Sequence, residues 1–355
     1  MNIFTIFILV IIIISSIFVY EISISRKTEI QAFYISSDPD GYIKLRYDLI
    51  KTIVYAEVDI GANGSLHYSE DYNPGPLIRY AHDKGVKVVL MFQVKDKKST
   101  DVILADSNIR NLAIENLLNE VRTNNFDGID IDLENINGKN SINGKSNKQL
   151  MTNFISNVSN TFRKNNSNYR ISMDISSYSP TTDKIFDIAA LQNKVNYIMV
   201  MGYDIYGGWS STAGPNSPIN LDSGIGINDS IKHYKLLVNK KKLLLGIPWY
   251  GHEFATKSDN RLSPINGDVN YILYKDYIKV INGYDRKWDS IWQTPWYTRQ
   301  DNTGQWYQGH YDDTESLGIK YDLANSEGLS GIGIWTVNYG MDNPELWQLM
   351  ADKFG

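Results

Sequence analysis

Eight short runs rich in Val, Ile, Leu and aromatic residues recur along this chain, and their recurrence limits the possible folds more than any other feature. They are Glu29–Ser36, Thr52–Ile60, Lys87–Val94, Gly128–Glu134, Tyr169–Ser176, Tyr197–Asp204, Lys242–Gly251 and Leu329–Val337. Unbroken apolar runs of this length are typical of strands buried on both faces. Helical patterns lie between most of them. Pro76–Asp83, Asn108–Asn124, Lys148–Lys164, Asp183–Asn193 and Ile227–Lys240 precede the third to seventh runs in turn. Strands alternating with helices predict a parallel sheet, and eight such units predict a closed one: an α/β fold of the (β/α)8 TIM barrel class. An open doubly wound sheet would need a Gly-rich phosphate turn after its first strand, and none follows Ser36.

Two segments interrupt the rhythm. Asn135–Lys148 is a polar loop rich in Gly and Asn, directly after the fourth run. His252–Thr314 is too long for a plain strand-to-helix loop. It contains a predicted hairpin, Gln293–Arg299 and Gln305–Tyr311, turned at Asp301–Gly304. We read residues 252–314 as a small insertion after the seventh strand that forms one wall of the site. Upstream, Ile3–Tyr20 is uncharged and apolar. That is about one membrane span, and longer than a signal-peptide core of about 7–15 residues. No Lys or Arg precedes it and Arg26 and Lys27 follow it, which weighs toward a cytosolic flank and against export. Residues 1–25 are read as a secretory signal or an uncleaved anchor, and residues 28–355 as the barrel. Either reading puts the protein on the secretory pathway: secreted, lysosomal, or membrane-anchored with the barrel on the lumenal side. Contact with a membrane is then expected only through this segment.

Charge and composition remove whole classes of function. A net charge of −5 offers no field for nucleic acid. Without cysteine there is no disulfide, thiolate metal site or Cys nucleophile. The five histidines show no metal-binding spacing, so neither a metal nor another cofactor is expected. With 24 Tyr and 8 Trp, the chain has the residues for a groove that stacks on sugar rings. A monomer is expected.

The most informative stretch is Asp127-Gly128-Ile129-Asp130-Ile131-Asp132-Leu133-Glu134. On a strand, Ile129, Ile131 and Leu133 point one way, toward packing helices, and Asp130, Asp132 and Glu134 point the other. In a barrel that second face is the interior. Carboxylates crowded there repel one another, so at least one holds a proton near neutral pH. Glu134 stands at the C-terminal end of the run, where barrel active sites are built, and is the candidate general acid. The interleaved Ile and Leu argue against a solvated acidic face. A hard-cation site is disfavoured because side chains about 6–7 Å apart along a strand converge poorly on one ion.

This run resembles the signature of the family 18 glycoside hydrolases, the chitinase family. Other strand ends carry the same likeness. Met201-Gly202-Tyr203-Asp204 is similar to the family's Met-x-Tyr-Asp, and Gly331-Ile332-Gly333-Ile334-Trp335 to the strand that ends in its conserved Trp. Gly246-Ile247-Pro248-Trp249-Tyr250-Gly251 fits on strand seven. The order of Pro248–Gly251, the hairpin, Tyr311-Asp312-Asp313 and Gly331–Trp335 is most similar to the di-N-acetylchitobiase branch.

The resemblance implies a hydrolase of β-1,4-linked N-acetylglucosamine oligosaccharides, with retention of configuration and the substrate's own 2-acetamido oxygen as nucleophile. It implies that Glu134 protonates the glycosidic oxygen and later activates water. Asp132 turns to hold the acetamide N–H, and Asp130 shares a proton with Asp132 from below. Tyr203 donates to the acetamide carbonyl, and Trp335 floors the sugar. Met201, Asp204 and Tyr34 are further candidate substrate contacts. Trp249 and Tyr250 either stack on sugars or pack the insertion. Two other readings share this sequence. One is an endo-acting chitinase or endo-β-N-acetylglucosaminidase. The other is a non-catalytic chitinase-fold lectin, although lectins of this fold typically lose the acid, and this chain keeps Glu134, Asp132 and Tyr203.

Overall fold

A computed structural model describes residues 28–136, 141–142, 145–179, 182–281 and 283–355. The apolar run Ile3–Tyr20 lies outside them. Among the described residues no helix is long and apolar enough to cross a membrane.

Eight parallel strands close on themselves: Glu29–Ile35, Thr52–Ile60, Lys87–Val94, Gly128–Asp132, Arg170–Ser176, Tyr197–Met201, Leu243–Pro248 and Gly331–Trp335. Each pairs with the next in sequence, and the eighth returns to the first with Gly331 opposite Glu29. Helices cover the outside, so the architecture is a (β/α)8 TIM barrel. Helix boundaries follow local chemistry. Asp106 caps Ser107–Thr123, accepting from Asn108 N–H at 2.8 Å, and Ser146 forms a capping box with Gln149 at the start of Asn147–Asn165. The single helix expected over Asp183–Asn193 is instead two short ones, Thr182–Ile185 and Ile188–Leu191. The Asp187 carboxylate accepts from Ala190 N–H at 3.1 Å and so starts the second.

Packing separates two apolar layers. Ile129, Ile131 and Leu133 join the layer between barrel and helices, while Phe33, Val54, Met91, Met199, Met201, Tyr203, Leu244 and Tyr250 fill the barrel interior. The N-terminal end of the barrel is closed by polar contacts: Arg170 donates to Glu29 at 2.7 Å, and so does Thr52 at 2.6 Å. Gly128 opens the fourth strand at φ +151°, and a Cβ there would lie 1.8 Å from the Arg170 carbonyl. Only glycine lets the fourth and fifth strands approach this closely.

After Pro248 the chain passes through Trp249 into a second, antiparallel sheet. Its five strands run in the order Ile265–Leu273, Tyr250–Thr256, Trp306–His310, Thr294–Gln300 and Lys287–Asp289. The turn between Thr294–Gln300 and Trp306–His310 is held by Asp301, whose N–H donates to Gln305 O at 3.0 Å and whose side chain accepts from Thr303 N–H at 2.9 Å. Its buried side is aromatic, with the Trp296 and His310 rings stacked 5.7 Å apart.

Candidate active site

The sheet ends carry a cleft of about 590 Å³ at the C-terminal mouth of the barrel. Its lining includes Asp132, Glu134, Asp174, Met201, Tyr203, Asp204 and Trp335 from strand ends, and Trp209 and Tyr271 from the flanking loop and the second sheet. This volume lies within the range of small-molecule sites.

The fourth strand supplies the acids. Pairing with the fifth strand ends at Asp132 opposite Asp174, two residues short of the expected boundary, so Glu134 sits just beyond the sheet. The turn that carries it is fixed by Ile136 N–H donating to Glu134 O at 2.8 Å and Asn135 Nδ2 to Val94 O at 3.1 Å. The Glu134 side chain is therefore exposed in the cleft, while Asp132 is 5% and Asp130 0% exposed beneath it.

Burial is the main cause of every carboxyl shift here, because a desolvated carboxylate is costly. Asp130 is pushed up to about 6, against hydrogen bonds from Ser172 and Asp174. Asp132 is raised further, with Glu134, Asp130 and Glu57 adding repulsion. Glu134 meets solvent through the cleft, yet the protein crowded around its carboxyl desolvates it and raises its pKa. Asp204 adds repulsion, and the contact with Asp132 works the other way. A carboxyl whose pKa is raised and that faces a cleft has the properties of a general acid.

The other expected residues divide by face. Met201 and Tyr203 reach the cleft from the sixth strand, and Tyr203 is 8% exposed. Asp204 follows at φ +54°, its N–H donating to the buried Asn216 side chain at 2.8 Å. The same Asn216 donates to the Tyr250 carbonyl at 2.9 Å, which ties the sixth-strand loop to the second sheet. Trp335 is half-buried at the floor, edge-on to Phe33 at 5.6 Å. Tyr250 stands behind the lining, edge-on to Tyr203 at 6.1 Å.

Besides Tyr250, two expected contacts do not reach the cleft. Trp249 is fully buried against Trp347, 5.5 Å away in the helix-facing layer, so it packs rather than stacks. Tyr34 also points outward, its hydroxyl donating to Asp38 O, while its neighbour Phe33 takes the interior position. For Phe33 and Tyr34 the two-residue period of the strand puts adjacent side chains on opposite faces, whereas Trp249 sits in the bend between two strands.

Among the cleft residues that the sequence reading missed are Asp174, Trp209 and Tyr271. Asp174 lies level with Asp132 on the fifth strand; Trp209 and Tyr271 are 66% and 63% exposed. For Asp174 a signal existed: Ser172, Asp174 and Ser176 alternate with Ile171, Met173 and Ile175. For Trp209 and Tyr271 none did, since loop aromatics carry no period. Asp130 also has partners other than those implied: Ser172 and Asp174, with Asp132 turned to Glu134. Among the described residues, no three His, Asp or Glu side chains are grouped to hold a metal ion.

Known proteins share this architecture and sequence. The model of the glycosyl hydrolases family 18 matches residues 17–340. The chain is similar to the di-N-acetylchitobiase of Homo sapiens, 28% identical over 305 residues that make up 78% of this chain and 76% of that one. It is similar to a probable endochitinase of Caenorhabditis elegans, 28% identical over 263 residues, covering 66% of this chain and 40% of that one. Among solved structures, the Group IV chitinase of Ostrinia furnacalis has the same fold, with a TM-score of 0.81 at 18% identity over 92% of this chain and 99% of that one. The acid-bearing fourth strand, the barrel that presents it and the match along most of the sequence agree: this chain belongs to the family 18 glycosyl hydrolases.

Proposed function

We propose that the protein hydrolyses β-1,4 linkages of N-acetylglucosamine in chitobiose- and chitin-type oligosaccharides, in the manner of a chitobiase. The observation that carries this reading is the pair Glu134 and Asp132: an acid exposed in the cleft, in hydrogen-bond contact with a buried acid below it. Glu134 protonates the leaving oxygen. Asp132 holds the acetamide N–H, Tyr203 holds its carbonyl, and the acetamide oxygen attacks the anomeric carbon. Water then opens the oxazolinium intermediate with Glu134 as base, so configuration is retained. Trp335 supplies the apolar floor.

An endo-acting variant of the same reaction is favoured by Trp209 and Tyr271, whose exposed faces extend the cleft with surfaces on which further sugar rings can stack. One experiment tests both readings. Chitin oligomers, a free N-glycan and cello-oligomers are digested side by side, with products sized by mass and their anomers followed by NMR. Release of single N-acetylglucosamine units with β-configuration supports the first reading, and internal cleavage supports the second. Efficient cello-oligomer hydrolysis or an inverted anomer would overturn the acetamide mechanism. Binding without any cleavage would leave a lectin.

A further inference from the structure

The proposed chemistry gives no task to Asp174, yet this side chain is placed as closely as any in the site. It stands opposite Asp132 in the register of the fourth and fifth strands, and Ser172, one layer below, stands opposite Asp130. Ser172 donates its hydroxyl to Asp130 Oδ1. The Asp174 carboxyl reaches down to the same Asp130 from the layer above. Asp174 lines the cleft but is only 4% exposed, and it neighbours Tyr203. One oxygen each of Asp130, Asp132 and Asp174 is buried and meets no N–H or hydroxyl donor among the described residues. Ionised carboxylates only accept, so buried oxygens that face each other need a proton between them. Meanwhile the Asp132 carboxyl contacts Glu134 and leaves Asp130 to the fifth strand.

We propose that Asp174 is a positioning residue: its acid proton, donated to Asp130, takes the place Asp132 would otherwise fill and so keeps Asp132 turned toward Glu134. Asp130 is satisfied from two sides by one strand, Ser172 on one oxygen and Asp174 on the other. Asp132 then has no buried acid to share a proton with below, and its carboxyl is already directed at the cleft before any substrate enters. This assignment rests on the reading of Glu134 as acid and Asp132 as holder of the acetamide.

Substitution separates the roles that Asp174 could play. Asn keeps a donor at the same place through its amide N–H, whereas Ala removes it. Asp174→Asn should hold kcat close to the wild-type value. Asp174→Ala should lower kcat roughly 10- to 100-fold, the worth of one hydrogen bond to a charged group, with KM little changed. Should the Ala variant not fold, Asp174→Leu serves, being nearly isosteric and donor-free. Crystal structures of the same proteins read the assignment without activity: Asp132 faces Glu134 in the wild type and in Asp174→Asn, and faces Asp130 in the donor-free variant. An Asn variant as impaired as Ala, a donor-free variant with wild-type kcat, or an Asp132 that stays on Glu134 without Asp174 would overturn the proposal. A wild type that cleaves no glycan, yet shows this pattern of Asp132 orientations, overturns the glycosidase reading and leaves the positioning role standing.

Discussion

The Tyr250 hydroxyl donates to Asp204 Oδ1 at 2.7 Å, so a residue of the second sheet bears on the protonation of a carboxylate in the barrel mouth. That bond favours the ionised form of Asp204, against burial, and Asp204 in turn raises the pKa of Glu134 by repulsion. An acid must be protonated to act, so the basic limb of the pH profile reports the Glu134 proton. Asp204→Asn removes the repulsion, lowers the Glu134 pKa and should move the basic limb of kcat/KM to lower pH. Tyr250→Phe lets Asp204 protonate more readily and should move the limb the same way, by less. Rates on an N-acetylglucosamine oligomer across pH decide it, and a limb that stays fixed in both variants would show that Asp204 does not act on Glu134.

Glu134 is the exposed end of the buried acid column. Glu134→Gln keeps its shape and removes its proton, so kcat should fall by about 10²–10⁴-fold with folding and sugar binding unchanged. Thermal melts and calorimetric titration with an oligomer serve as the controls. Turnover near the wild-type value would reassign the acid.

Asp132 and Tyr203 both face the place of the acetamide in the proposed reaction. If they hold one group together, either loss frees it. Asp132→Asn and Tyr203→Phe should each lower kcat more than they raise KM, and the double variant should lose much less than the product of the two. Strictly multiplicative losses would mean that the two side chains act independently.

The buried imidazoles of the second sheet make a different kind of prediction. Burial holds His310 down to about 3 and His252 to about 4, while an unfolded histidine protonates near 6.5. Below pH 6.5 the unfolded chain therefore binds more protons than the folded one, and stability falls as the pH drops toward 4 and 3. Asp130, raised to about 6, works in the opposite direction: its contribution is full below 3.8 and is lost as pH rises through 6. His310→Phe should remove part of the acid loss, at a cost of about 0.5–1.5 kcal/mol at pH 7 for the bond to Gln308. Urea midpoints at pH 5 and pH 7 check this; equal acid losses in variant and wild type would show that His310 protonates in place.

What the sequence made legible follows from whether a strand marks its own phase. Runs buried on both faces look continuously apolar, so their number and order are plain, but not which residues face inward. Tyr34 and Trp249 fell on the outer face for this reason, and nothing in their neighbours said so. The fourth strand is different, because its acids alternate with Ile and Leu and fix the inward face outright. The fifth strand carries a fainter version in Ser172, Asp174 and Ser176. The second sheet pairs Tyr250–Thr256 with Trp306–His310 across some fifty residues, a relation that no local period records. Only its last hairpin, with Asp301 and Gly304 at the turn, announces itself locally.

One residue, Trp249, joins the seventh barrel strand to that sheet. Its N–H donates to Trp335 O at 2.9 Å, its carbonyl accepts from Tyr274 N–H at 3.0 Å, and its ring is sealed in the core. A wall mounted this way is pinned to the barrel at its root. Tyr250, the next residue, takes its place beside Tyr203 and Asp204 from that junction, so a change that loosens Trp249 should reach the site without touching it.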